Sequence, residues 1–215
     1  MPFTTETKNE VEKYINKHLP DENWFEDFFD YIKDKTLSNR LAEEFKAIRY
    51  IYKFLEGMQA EEWLKNAQIR IQIIYYASIY EAIIHYVLFD LFPTNHLVLK
   101  LYETKTCKRI SVSKELDGLT HQGRKIYTTY EDIIYKDIKQ IRFEHKADVA
   151  NSLGLIDEKL RDELKEIYAL RNAIHLHAEI QKGINYEMKM SLTAYRRMQV
   201  FKQQMTDGLT KHGLL

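Results

Sequence analysis

Arg171, Asn172, His175 and His177 fall within the single segment Arg171-Asn172-Ala173-Ile174-His175-Leu176-His177. Imidazole exchanges protons near neutral pH, and the planar arginine fork donates in pairs to an oxyanion. This is therefore the segment in which chemistry is expected. On a helical wheel drawn at about 100° per residue, Leu160, Leu164, Ile167 and Ile174 share one face. Arg171 falls in the middle of that apolar stripe. His175 lies one turn further on the same side, and His177 points about 120° away. An arginine facing inward is costly unless it is paired with a carboxylate, or unless its face lines a cleft or a subunit interface. His175 and His177 as alternate metal ligands would converge on a strand but not on a helix, so no metal site is assigned to them. No Gly-rich phosphate loop, nucleophile elbow, His-Glu-x-x-His or Cys pair accompanies the segment, and no cofactor is expected.

The elements that must position these side chains are helical. The 215 residues contain only 7 Gly and 3 Pro, too few for a fold of many tight turns, and 45% are hydrophobic against 30% charged. Thr4 to Leu19 reads as a first helix stopped by Pro20. Asp21 is placed to cap a second, in which Trp24, Phe25, Phe28, Phe29 and Ile32 recur at helical spacing. Glu26, Asp27 and Asp30 between them read as a solvated face. Leu37 to Leu55 forms a third helix ending at Gly57, and Gln59 to Phe92 the longest one, closed by Pro93. Its stretch from Ile69 is apolar on nearly all sides, as a central bundle helix is. Glu81, His85 and Asp90 interrupt Ile71–Leu91, which argues against a membrane span. Ile141 to Leu153 is helical up to Gly154, Asp157 starts the helix that runs into Arg171, and Glu187 to Met205 is the last, with Gly208 opening a fraying tail. The expected fold is an all-α bundle in which residues 1–57 pack on a domain spanning 58–215.

One region differs. From Tyr102 to Arg142 the β-formers rise, Gly118 and Gly123 enter, and short alternations occur at Arg109–Val112 and Lys125–Thr128. This reads as an irregular insertion with room for a small β-hairpin. Tyr127, Tyr130 and Tyr135 lie there among Arg124, Lys125, Lys136 and Lys139, a mixture that suits single-stranded RNA through stacking and charge. Net charge over the chain is zero, but Met1–Lys35 holds five basic against nine acidic residues, whereas Lys100–Lys146 holds eleven against seven. Cys107 is alone, which fits a reducing compartment, and the N-terminus lacks the pattern of a signal peptide. A cytoplasmic location is expected.

Leu153-Gly154-Leu155-Ile156, Leu164 and the Arg171–His177 segment together resemble the HEPN superfamily, whose hallmark is Arg, commonly followed by Asn, with a His after four to six intervening residues. Ala77-Ser78-Ile79-Tyr80-Glu81-Ala82-Ile83-Ile84 resembles the acidic core helix of that family. The resemblance covers Gln59 to Lys182, apart from the insertion. It implies a metal-independent endoribonuclease whose Arg and His side chains form a composite cleft between two protomers. His would serve as general base or acid for attack of a 2′-OH on its own phosphodiester, and Arg171 would hold the phosphate. Asn172 would orient the His or bond a phosphate oxygen, and Glu81 would fix Arg171 from the neighbouring helix. Toxin, phage-defence or RNA-processing roles follow from it, as does a homodimer. His177, with five intervening residues, fits the hallmark. His175, with three, does not, although a regular helix would put it beside Arg171. If His175 is the true equivalent, the chain is a non-catalytic HEPN-like module that binds a partner protein or a nucleotide. Partners of nucleotidyltransferase antitoxins carry a Tyr two residues beyond the His. Here Ala178 and Glu179 stand near that place and the next Tyr is Tyr186, so the pattern is missing.

Overall fold

Short polar side chains start the first three helices. Thr4 Oγ1 accepts from the Thr7 N–H at the head of α1 (Thr5–Lys17), Asp21 from Trp24 at α2 (Glu22–Phe28), and Asp34 from Leu37 at α3 (Lys35–Gly57). Each such cap satisfies an orphan donor and contributes about 1 kcal/mol. The structure, a computed structural model, describes residues 2–110, 118–174 and 176–215. Helices take up 66% of it and strands 9%, so the fold is all-α.

Helix α4 (Glu62–Tyr86) runs on through a π-helical turn, Val87–Leu91, and packs against α3. By length and hydropathy Glu62–Leu91 would suit a membrane span, but 61% of its most apolar window is buried inside the chain. Other helices cover it, as expected of a core helix. A short α5 (His96–Lys100), capped by Asn95, follows Pro93.

The expected hairpin then leaves the bundle. Strand β1 (Glu103–Arg109) pairs antiparallel with the strand Thr129–Tyr135, in a register running from Glu103 opposite Tyr135 to Arg109 opposite Thr129. Between them β2 (Thr120–His121) and β3 (Arg124–Lys125) pair nearer the tip, so Thr129–Tyr135 is β4. The ladder lies closer to the bundle than the two alternations suggested. Of those, Lys125 is in β3 and Arg109 ends β1, whereas Ser111 and Val112 fall outside the described residues. The reason is physical. No face of the ribbon is buried, so hydrophobic alternation does not set its register. Lys136 N–H donating to Tyr102 C=O (2.7 Å) closes its base, and Lys105–Glu131 (2.7 Å) and Lys108–Asp132 ion pairs cross it.

A 3-10 turn at Ile138–Gln140 returns the chain to the bundle at α6 (Phe143–Ser152). Gly154, at φ +71°, makes the turn into α7 (Glu158–Asn172), which Asp157 caps. Then come α8 (Leu176–Lys182) and α9 (Met188–Lys211). The last helix is longer than the sequence suggested. Gly208 is inside it and buried, and a Cβ there would meet Leu155 Cα at 2.8 Å. The glycine permits close approach of the α6–α7 loop and does not begin a frayed tail.

One continuous core holds α2 and α3 residues together with α4, α6, α7 and α9. Its densest part is aromatic: Phe45 lies 5.0–6.2 Å, centroid to centroid, from Trp24, Phe25, Phe28, Phe29, Tyr76 and Tyr195. A second, smaller cluster joins Ile69 and Ile73 of α4 to Tyr186, with Leu170 and Ile174 packed against it. It seats the end of α7.

Candidate functional site

Leu160, Leu164 and Ile167 are buried on one side of α7, as the wheel requires, and this fixes the direction in which the next turn presents its side chains. Arg171, in that last turn, is half-buried. It makes no ion pair with a carboxylate among the described residues. Its Nη1 donates to Asn172 Oδ1 at 3.1 Å and to Tyr168 Oη at 3.4 Å, and the guanidinium carbon sits 5.2 Å from the Tyr168 ring centroid. Tyr168 is itself held by stacking on Phe143 of α6, with centroids 4.3 Å apart and planes 18° from parallel.

From Tyr168 the polar contacts run inward. Its hydroxyl donates to Glu81 Oε1 at 3.2 Å. The same carboxylate oxygen lies 3.8 Å from Lys146 Nζ, whose side chain is only 5% exposed. Lys146 Nζ in turn donates to His85 Nδ1 at 3.4 Å, one turn beyond Glu81 on α4. Burial lowers the Lys146 pKa from its usual range, and Glu81 opposes that shift without cancelling it. Burial and then the Lys146 charge lower His85. Burial and then the Glu81 charge raise Tyr168. The result is a chain of contacts, Arg171–Tyr168–Glu81–Lys146–His85, that ties α7, α4 and α6 together.

Next to it opens a cleft of about 360 Å³ lined by Glu81, Lys139, Arg142, Phe143, Tyr168 and Asn172 among others. Glu81 and Asn172 thus face one cavity, and Glu81 reaches Arg171 only through Tyr168. The direct fixing of Arg171 by Glu81 is replaced by this indirect one, since Lys146 is the cation beside Glu81.

Helix α7 ends directly after Arg171 and Asn172. Ala173 caps α7 with its N–H on Ala169 C=O and Leu170 C=O, and α8 restarts at Leu176. His177 therefore belongs to a different helix from Arg171. It is exposed and makes no contact with Arg171 among the described hydrogen bonds. His175 lies outside the described residues. Helix α8 is tied to α4 by Glu179 and Arg70 (3.6 Å), with the Arg70 guanidinium 5.1 Å from the Tyr186 ring centroid. Arg124 and Lys125 in β3, with Tyr127 and Tyr130 nearby, sit on the hairpin and not at the cleft.

Sequence reasoning passed over Tyr168, Lys146 and His85. Tyr168 carries a usable signal, since it precedes Arg171 by three residues and so shares its side of the helix. Lys146 is a lysine set in the buried row Phe143, Ala147 and Ala150. No family model matches the chain, and no curated protein or solved structure matches it significantly.

Proposed function

We propose that the chain is a HEPN-type, metal-independent endoribonuclease that works as a homodimer in the cytoplasm, in a toxin, phage-defence or RNA-processing role. The observation that carries this reading is the state of Arg171. It stands in the last turn of a helix, oriented by Tyr168 and Asn172 through Nη1 alone. Its Nε and Nη2 meet no acceptor among the described residues. A guanidinium held in place yet open on one side is suited to a phosphate and to the charge that builds on it in the transition state. The break between α7 and α8 supports the reading further, because it frees His177 from the unfavourable wheel position. In the reaction, the 2′-OH attacks the neighbouring phosphorus, an imidazole takes the hydroxyl proton, and the 5′-oxygen leaves with a proton from a second imidazole. His177 fills one role. His175, or a histidine of the second copy, fills the other. Asn172 and Tyr168 position Arg171, and Glu81 positions Tyr168.

The test is cleavage of RNA with a chelator present. Arg171→Ala is expected to lower turnover about a hundredfold or more, as removing one oxyanion donor does. His177→Ala should be at least as severe, and Tyr168→Phe milder. Turnover that survives Arg171→Ala, His175→Ala and His177→Ala alike, or a wild type that cleaves nothing, overturns the reading. A second reading is a non-catalytic HEPN-like module for a partner protein, such as an antitoxin, or for a nucleotide. It is favoured by His177 standing clear of Arg171 in a single copy, and it expects no turnover from any preparation.

A further inference from the structure

The hairpin disposes of its charges unevenly. Both carboxylates of β4 are taken up on the ribbon, Glu131 by Lys105 and Asp132 by Lys108. The next carboxylate, Asp137, is turned to the Lys139 backbone N–H at 2.8 Å. Six cations of the same stretch, Arg109, Arg124, Lys125, Lys136, Lys139 and Arg142, pair with no carboxylate among the described residues. Three are on the outer part of the ribbon, and Lys139 and Arg142 line the cleft at its base. Cations with no carboxylate partner among the described residues thus stand both on the arm and at the cavity, whose lining also holds Glu81, Glu144, Tyr168 and Asn172. Aromatic rings accompany those on the arm. Tyr127 is 41% and Tyr130 47% exposed, and the Arg109 guanidinium carbon lies over one face of the Tyr127 ring, 3.6 Å from its centroid. Neither ring belongs to the hydrophobic core.

The geometry points to the hairpin as a grip for single-stranded RNA: bases stack on Tyr127 and Tyr130, and phosphates follow Arg124 and Lys125 toward Lys139 and Arg142 at the cleft. For the identity of the polyanion as RNA, this rests on the ribonuclease reading. Unpaired cations alone would suit any acidic surface, but flat exposed rings beside them suit unstacked bases, which every nucleotide of a single strand can offer. The register adds a constraint. Tyr130 is opposite Lys108 on one face, whereas Arg109 meets Tyr127 on the other. A strand that engages both rings passes over the free edge of β4 with a base on each side. A duplex, whose bases are already stacked, has no such option.

The experiment is fluorescence anisotropy of a labelled twelve-nucleotide single-stranded RNA, using the full chain with Arg171→Ala so that turnover plays no part. In that background, Tyr127→Ala with Tyr130→Ala is expected to weaken binding about tenfold or more. Arg124→Glu with Lys125→Glu should do the same and flatten the salt dependence by roughly 1.4 in slope, about 0.7 for each phosphate no longer neutralised. The same RNA annealed to its complement should bind more weakly than the single strand. Unchanged affinity in both double variants overturns the proposal. So does a loss on charge reversal with none on removing the rings, which would mark a general polyanion or acidic-protein surface. The two readings fail separately. A wild type that binds through the arm but cuts nothing loses the enzyme and keeps the grip. Undiminished affinity in the arm variants, with normal cleavage, loses the grip and keeps the enzyme.

Discussion

The cleft and the hairpin handle the same chemical groups in opposite ways. At the cleft, Lys146 is nine-tenths buried and meets Glu81 and His85, and Tyr168 is stacked on Phe143 and bonded at its hydroxyl. On the hairpin, Lys105 and Lys108 are paired across the ribbon, but Arg109, Arg124 and Lys125 lack carboxylate partners among the described residues, and Tyr127 and Tyr130 are exposed. A buried charge carries a desolvation cost that only its partners offset, so the cleft must keep its geometry or lose stability. An exposed charge carries almost none, and its removal is felt only by whatever binds there. The lesson is that the two regions should separate in experiment: one couples folding to function and the other does not.

The sharpest attempt to break that contrast is Glu81→Gln. It leaves the Lys146 ammonium without its carboxylate, and a loss of about 2 kcal/mol is expected in urea unfolding, less than for a fully buried pair because Glu81 is partly exposed. An unchanged midpoint would show that the lysine is neutral or finds water. A smaller effect is expected from acid. Because the His85 pKa is lowered in the folded state, the unfolded chain binds that proton more readily. Stability should therefore fall as pH drops below about 6.5, with the loss complete once the pH is under the folded value. His85→Gln should flatten the fall of Tm between about pH 7.5 and 5.5. The smallest effect belongs to the arm. Replacing residues 104–134 with a short Gly-Ser turn should leave Tm within a few degrees, since neither β1 nor β4 supplies a core residue and Tyr102 and Lys136 already close the base. A large drop would show that the ribbon packs on the bundle after all.

The helices were legible because their signals are local. Asp21 and Asp157 cap where the sequence placed caps, Gly57 and Gly154 lie where helices stop, and the apolar stripe of α7 is buried as the wheel drew it. The network at the cleft was not legible to the same degree. Glu81 and Lys146 are brought together across 65 positions of chain, and no periodicity encodes which lysine will find which carboxylate. Tyr168 was hidden differently, since one tyrosine among 15 carries no mark until Phe143 is known to lie under it. The hairpin was foreseen as a region, but the two alternations at Arg109–Val112 and Lys125–Thr128 did not mark its main ladder, because a ribbon with two wet faces has no buried side to count from.

Gly208 gives the molecule an unexpected kind of sensitivity. With no side chain it lets α9 lie against Leu155, and Gln204, one turn before, holds both the backbone and the side chain of Asp157. These contacts clamp the fixed end of α7, and Arg171 rides at the opposite end of the same rigid rod, about 20 Å away. The rod is a lever whose fulcrum is set by a missing methyl group. A residue remote from the cleft thus helps seat the helix that carries Arg171.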